Sequence, residues 1–333
     1  MRAGSIWTVA IASLLAYGSA CAADDGKITL IIGGIDKIIY LPVKLADSLG
    51  YFRDQGITVE LRSQVAGGEA ADELLAGTVH GVVGFYDHTI ELQAKGKAVE
   101  SVVQLGLAPG QAMVVATRVA DRIGSPAHLK GAHLGVTGLG SSTHFLSQYL
   151  VVTSGVRLAE VTFVPLGAGD TFIKALQQGR IDAGMTSEPT ISRLLEGGEA
   201  RILVDMRTPP QAERALGGIY PAACLYMESA WVNAHKPQVQ KVVNALVKAL
   251  RYIQTHGADE IAAQMPREYY AGDKAMYVRA IKNSKGMFTP DGIMPASGPS
   301  TVRNVLASFN KTVRNKSIDL SKTYTTEFAS SAN

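Results

Sequence analysis

The sequence predicts an α/β fold built as two similar lobes, and three observations predict it. Short β-rich runs alternate with segments of helical period from Lys27 onward. A loop-helix-turn-strand pattern is written twice at a fixed offset. The chain of 333 residues, 47% of them hydrophobic, is long enough for about two domains with buried cores.

Ahead of the first strand stand Arg2, an apolar run from Ile6 to Ala16, and small residues ending in Ala20-Cys21-Ala22. That is the layout of a secretory signal peptide over residues 1–22. The run is well short of the ~20 residues that span a bilayer. A lipid-bearing Cys21 is the alternative, although Gly18 stands where a large aliphatic residue is usual. Cleavage after Ala22 removes one Arg, takes the formal charge from +3 to +2, and leaves Cys224 alone, so no internal disulfide is expected.

The first elements are a strand at Ile28–Ile32, a helix at Leu41–Leu49, a strand at Ile57–Leu61, a helix at Ala70–Leu75 and a strand at Val79–Phe85. This rhythm belongs to parallel α/β units. The echo follows. Gly67, a helix through Leu75, Gly77, the strand at Val82-Val83 and Tyr86 answer to Gly169, a helix through Leu176, Gly179, the strand at Ala183-Gly184 and Glu188. Both glycine pairs stand 102 residues apart, too long a period for a solenoid. Two lobes whose parallel strands present their carboxyl ends to each other enclose a cleft where ligands bind. Beyond Arg207 come a Pro/Gly loop, an extended run over Ala222–Val232, and a long helix from Pro237 stopped by Gly257. Further helices are expected at Ala275–Ile281 and Val302–Phe309, with an irregular polar tail after Lys316.

Several functional classes drop out on composition and motif. The balance of 32 Lys+Arg against 29 Asp+Glu, without a basic block, argues against nucleic acid. Thr143 falls where a dinucleotide fingerprint needs its third glycine, and Thr143 and His144 stand where a hydrolase elbow needs its second. The histidine spacings, His80 to His88 and His128 to His133, lack metal-ligand grammar, so no metal and no cofactor is expected. What remains is the loop Gly138 to His144, which leaves a strand and opens a helix. Ser141, Ser142, Thr143 and His144 there offer hydroxyls and free backbone N–H groups to an anion, or a simple helix cap. Tyr86 and Asp87, directly after a strand, and Glu188, before Pro189, are the other candidates at the cleft.

These residues resemble the exported substrate-binding proteins of nitrate/sulfonate/taurine-type ABC importers, related to the thiamine-pyrimidine-binding group. The resemblance is carried by Tyr40-Leu41-Pro42-Val43, Leu49-Gly50-Tyr51-Phe52, Gly56-Ile57-Thr58-Val59-Glu60, Gly140-Ser141-Ser142, Ala175 through Ala183, and Glu188-Pro189, from about Lys27 to Ile253. It implies a type II periplasmic-binding-protein architecture, with lobe 1 formed by residues 23–115 and 228–333 and lobe 2 by residues 116–227. Crossover strands are implied near Met113–Thr117 and Ala222–Met227, with the C-terminal helices returning to lobe 1. Ligand contacts are implied at Ile35, Tyr40, Gly67, Gly68, Tyr86, Asp87, Ser141 to His144, Glu188 and Tyr220. Ser187 replaces an aromatic frequent in the family.

The expected function is therefore capture without chemistry: a periplasmic, monomeric binder of a small organic anion or zwitterion, such as a sulfonate, taurine-like solute or carboxylate, that delivers it to an ABC permease and its ATPase. Asp87 disfavours a purely inorganic anion such as nitrate unless it is protonated or paired. A secreted enzyme using Asp87 or His144, and a periplasmic solute sensor, are the alternatives.

Overall fold

The computed structural model describes residues 27–270 and 272–332; the expected signal peptide, with Cys21, lies outside them. The described strands are, in chain order, β1 (Lys27–Ile32), β2 (Thr58–Ser63), β3 (Gly81–Phe85), β4 (Val99–Gln104), β5 (Gln111–Ala116), β6 (His133–Val136), β7 (Thr162–Pro165), β8 (Ala183–Ser187), β9 (Ala200–Met206) and β10 (Ala223–Glu228). They form two five-stranded sheets, ordered β2-β1-β3-β10-β4 and β7-β6-β8-β5-β9. In each sheet three strands run parallel and the fourth position is filled by an antiparallel strand.

The two orders are the same topology, and the sequence echo maps onto it. Every residue of β3 stands 102 positions before its counterpart in β8. Gly77 and Gly179, which end the preceding helices, both have φ of +72°, the left-handed conformation that glycine adopts without a Cβ clash. The antiparallel strand is the exchanged one. β5 leaves the first sheet's strand β4 to join the second sheet, and β10 returns to the first.

This exchange locates the passages between the two sheets. The chain crosses over at residues 105–110 and 207–222, so breaks at 115/116 and 227/228 would cut through β5 and β10. The extended run expected to Val232 also ends earlier, because a helix begins at Ser229. The long helix spans Lys236–Thr255, with Pro237 in its first turn. Its apolar stripe of Val239, Val242, Val243, Leu246, Val247, Leu250 and Ile253 is fully buried, and it packs on the helix Leu41–Ser48 of lobe 1.

The later helices do not return to lobe 1 alone. Helix Gly298–Phe309 packs on both Asp87–Ala94 of lobe 1 and Ser142–Thr153 of lobe 2. Helix Lys274–Ser284 reaches Thr190–Glu196 of lobe 2, where Arg279 pairs with Glu196 at 2.7 Å. The polar tail contains short helical turns at Leu320–Lys322 and Glu327–Ser330. The main core accordingly draws on both lobes, while Phe172, Leu176, Ile181 and Leu194 anchor a smaller one in lobe 2.

That smaller core depends on a close approach of two strands under an aromatic ring. Gly135 of β6 and Gly184 of β8 are register partners. A Cβ on Gly184 would lie 2.6 Å from the Gly135 carbonyl oxygen and 2.7 Å from the Phe172 ring. Gly184→Val should therefore cost about 1–3 kcal/mol, the usual penalty of overpacking. Urea unfolding checks this, and an unchanged midpoint would refute the packing argument.

Candidate functional site

The carboxyl ends of the parallel strands converge from both sheets on one small cavity. Lobe 1 contributes Gly33 after β1, Lys37, Ile39 and Tyr40 from the following turn, Gly67 after β2, and Phe85 closing β3. Lobe 2 contributes Thr137 after β6, the helix start Ser141 to Thr143, Ser187 closing β8, and Gln111 opening the antiparallel β5. The space they enclose is about 10 Å³, room for about one water molecule. The lobes must part to admit a larger solute. A more open groove of about 560 Å³ lies at the opposite end of the first sheet, lined by residues such as Lys97, Glu100 and Lys322. None of the buried side-chain atoms lacking a hydrogen-bond partner belongs to that groove's lining.

Lys37 dominates the electrostatics. Gly34, at φ +109°, turns the chain so that the lysine stem folds back across it. The ammonium donates to the carbonyls of Gly33 at 2.5 Å and Val65 at 3.0 Å, which leaves one of its three donors. Burial pushes the pKa of this amine down to about 8, against the raising influence of Asp36 and Glu69. It is a desolvated cation on the cavity wall.

On the facing lobe the hydroxyls are largely engaged with one another. Ser141 caps the helix Ser142–Thr153, its Oγ accepting from the His144 amide at 3.4 Å and donating to the Gly138 carbonyl at 2.7 Å. Thr143 Oγ1 accepts from the Thr137 amide and lies 2.7 Å from Ser141 Oγ. Two buried atoms on the wall are different: Gln111 Oε1 and Ser187 Oγ have no hydrogen-bond partner among the described residues. The two residues are register partners on β5 and β8.

Of the residues implied by resemblance, Tyr40, Gly67, Ser141, Ser142 and Thr143 line the cavity. The others stand outside its wall, each for a visible reason. Ile35 turns toward β2, where its amide donates to Ser63. Gly68 sits where the lobes touch; a Cβ there would be 3.1 Å from the Leu139 carbonyl. Tyr86 follows Phe85, and with successive side chains on opposite faces its hydroxyl goes to Thr323 and its ring to Tyr324. His144 accepts from the Gly140 amide through Nδ1 and packs edge-on against Phe163; burial lowers its pKa to about 4. Glu188 accepts from the Ser192 amide and from Arg207, while its carbonyl accepts from the Ile38 amide across the lobes. Burial nonetheless raises its pKa.

Asp87 and Tyr220 form the layer behind the wall. Asp87 is fully buried and accepts from Ser142 of lobe 2 at 2.8 Å and from the Tyr220 hydroxyl at 3.2 Å. His88 Nε2, 4.0 Å from Asp87 Oδ1, has no hydrogen-bond partner among the described residues. A Cβ on Gly67 would lie 2.8 Å from that nitrogen. Burial holds His88 down to about 4, so its ring is neutral.

Sequence reasoning missed Gly33, Lys37, Ile39, Phe85, Gln111, Thr137 and Ser187. A lysine a few residues past the first strand, in the Gly33-Gly34 loop, was the available signal for Lys37. Nothing local marked Gln111, whose place depends on strand exchange.

Burial raises the Asp87 pKa to about 7, against the hydrogen bonds from Ser142, Tyr220 and the His88 backbone. A carboxyl raised in the folded state binds more protons than its unfolded counterpart between pH ~4 and ~7. It therefore stabilises the fold at low pH, and that contribution is lost as the pH rises through about 7. Asp87→Asn should remove a loss of the order of 3 kcal/mol between pH 4 and 8. Denaturant titrations of both proteins at the two pH values measure it; parallel pH profiles would refute the assignment.

Known proteins share this architecture. A protein of Bordetella bronchiseptica RB50 superposes with a TM-score of 0.88 at 35% identity, covering 92% of this chain and 96% of that one. The alkanesulfonate-binding protein SsuA from Xanthomonas axonopodis pv. citri, bound to MOPS, gives 0.69 at 18% identity, over 88% of this chain and 95% of its own. The periplasmic nitrate-binding protein NrtA from Synechocystis PCC 6803 gives 0.70 at 12%, over 91% and 87%. No curated protein matches the chain. The sequence model of one family, NMT1/THI5 like, matches residues 39–259, and the chain belongs to that family.

Proposed function

We propose that this protein is the exported solute-binding component of an ABC import system. It captures a small organic anion or zwitterion between its lobes and presents it, as a periplasmic monomer, to the permease and its ATPase. The observation that carries this reading is the cavity at the strand ends, whose wall is shared by the buried Lys37 of lobe 1 and the helix start Ser141 to Thr143 of lobe 2. Supporting it, two proteins of the same architecture are described as binding an alkanesulfonate and nitrate. The layout of residues 1–22 supports export.

The mechanism is a population shift. Parting the lobes breaks the Ser142–Asp87 bond and the Ile38–Glu188 backbone bond. An anion held at Lys37 favours the closed arrangement by compensating a charge that closure takes out of water.

A thermal-shift panel on the chain from Ala23 onward tests the proposal, with taurine, alkanesulfonates, nitrate, bicarbonate, carboxylates and pyrimidines. A bound solute at a hundred times its Kd stabilises by about 2.7 kcal/mol. A solute that is consumed, or a panel without a shift, would count against a binding protein for small anions. Lys37→Met should weaken the bound anion at least about tenfold, as expected for a lost charged hydrogen bond. In the parent protein affinity should hold below pH about 8 and fall above it, as Lys37 loses its proton. Calorimetric titration across pH 6–10 reads both effects; pH-independent binding would remove Lys37 from the site.

A further inference from the structure

The cavity recognises more than negative charge. Gln111 and Ser187 face each other as register partners at the ends of antiparallel strands, so their side chains lie on the same side of the sheet and adjacent. Both are at most 2% exposed, both line the cavity, and neither Gln111 Oε1 nor Ser187 Oγ has a hydrogen-bond partner among the described residues. A buried carbonyl oxygen without a donor is costly to maintain. The hydroxyls of Thr137, Ser141 and Thr143, by contrast, are already satisfied by one another and by backbone.

We infer that Gln111 and Ser187 form a second subsite, which accepts an N–H or O–H donor on the part of the solute away from the anionic group held by Lys37. The inference rests on the proposed solute-binding role and sharpens it. The amide oxygen of Gln111 demands a donor, and the Ser187 hydroxyl can accept from the same group or donate to it. Tyr40 and Phe85, packed edge-on with ring centroids 6.3 Å apart, line the cavity between the two lobes. Solutes that are all acceptor, such as nitrate or a plain alkanesulfonate, can meet only the Nε2 donors of Gln111, leave its Oε1 unpaired and bind less tightly. The residue that stands where an aromatic is frequent is thus a polar reader.

Three molecules of nearly the same shape test this: taurine, isethionate and ethanesulfonate, which end in an ammonium, a hydroxyl and a methyl group. Calorimetric titration should show taurine, isethionate or both binding about tenfold or more tightly than ethanesulfonate, the penalty of one buried unpaired acceptor. Which of the two wins tells an amine from a hydroxyl. In Gln111→Leu, with melting curves without solute confirming the fold, that preference should shrink to within about threefold, since the unpaired amide oxygen is gone, while Ser187→Ala, which keeps that oxygen, should reduce the preference less. Equal affinity of all three for the parent protein, or a preference unchanged in both variants, overturns the subsite and leaves the solute-binding reading standing. Failure of all three to bind, with nitrate or a carboxylate binding in their place, overturns the subsite if the matched pair glycolate and acetate shows no donor preference. Failure of every anion overturns both.

Discussion

An ammonium and a carboxylate are buried together between the two lobes. Lys37 on the cavity wall and Asp87 behind it are both buried, and desolvation drives both pKa values toward neutrality, to about 8 and about 7. Neither has the other as a hydrogen-bond partner; Lys37 leans on two backbone carbonyls, Asp87 on a serine and a tyrosine. Burying a charge with neutral partners only is unfavourable unless something completes its shell. Under the proposed solute-binding role, the closed cleft depends on what enters it, and a solute of complementary charge tips the balance between closed and parted lobes.

The duplicated topology explains why both charges lie at one place. Each sheet ends its parallel strands at the cleft, so the loops after β1, β2, β3, β6 and β8 meet there. The exchanged strands β5 and β10 join the lobes by two crossings, at residues 105–110 and 207–222. Tyr220 comes from the second crossing and contacts Asp87, so the connection between lobes reports on the buried carboxylate. The helix Gly298–Phe309 touches both lobes.

Much of the fold was legible because its signals are local. The glycines at 77 and 179 end helices in the left-handed conformation, and the 102-residue spacing between them repeats in β3 and β8. The stripe from Val239 to Ile253 has the helical period and is buried along one face. The site was legible only where a backbone position settled it, as at Tyr40, Gly67 and the hydroxyl-rich start Ser141 to Thr143. One residue of parity separated Phe85, on the cavity wall, from Tyr86, which turns to Thr323. Which sheet β5 and β10 join was not legible, because a strand carries the same apolar pattern whichever sheet it joins.

By itself, then, the sequence determined the order of strands and helices and the pairing of two similar lobes, since these follow from periodicity, turn chemistry and spacing along the chain. Only the tertiary structure decided which side chains line the cavity between the lobes. Lys37 reaches the cavity because Gly34 turns its stem back, and Gln111 meets Ser187 because β5 crosses to the other sheet. Both depend on contacts between distant segments and on burial, which no local pattern encodes.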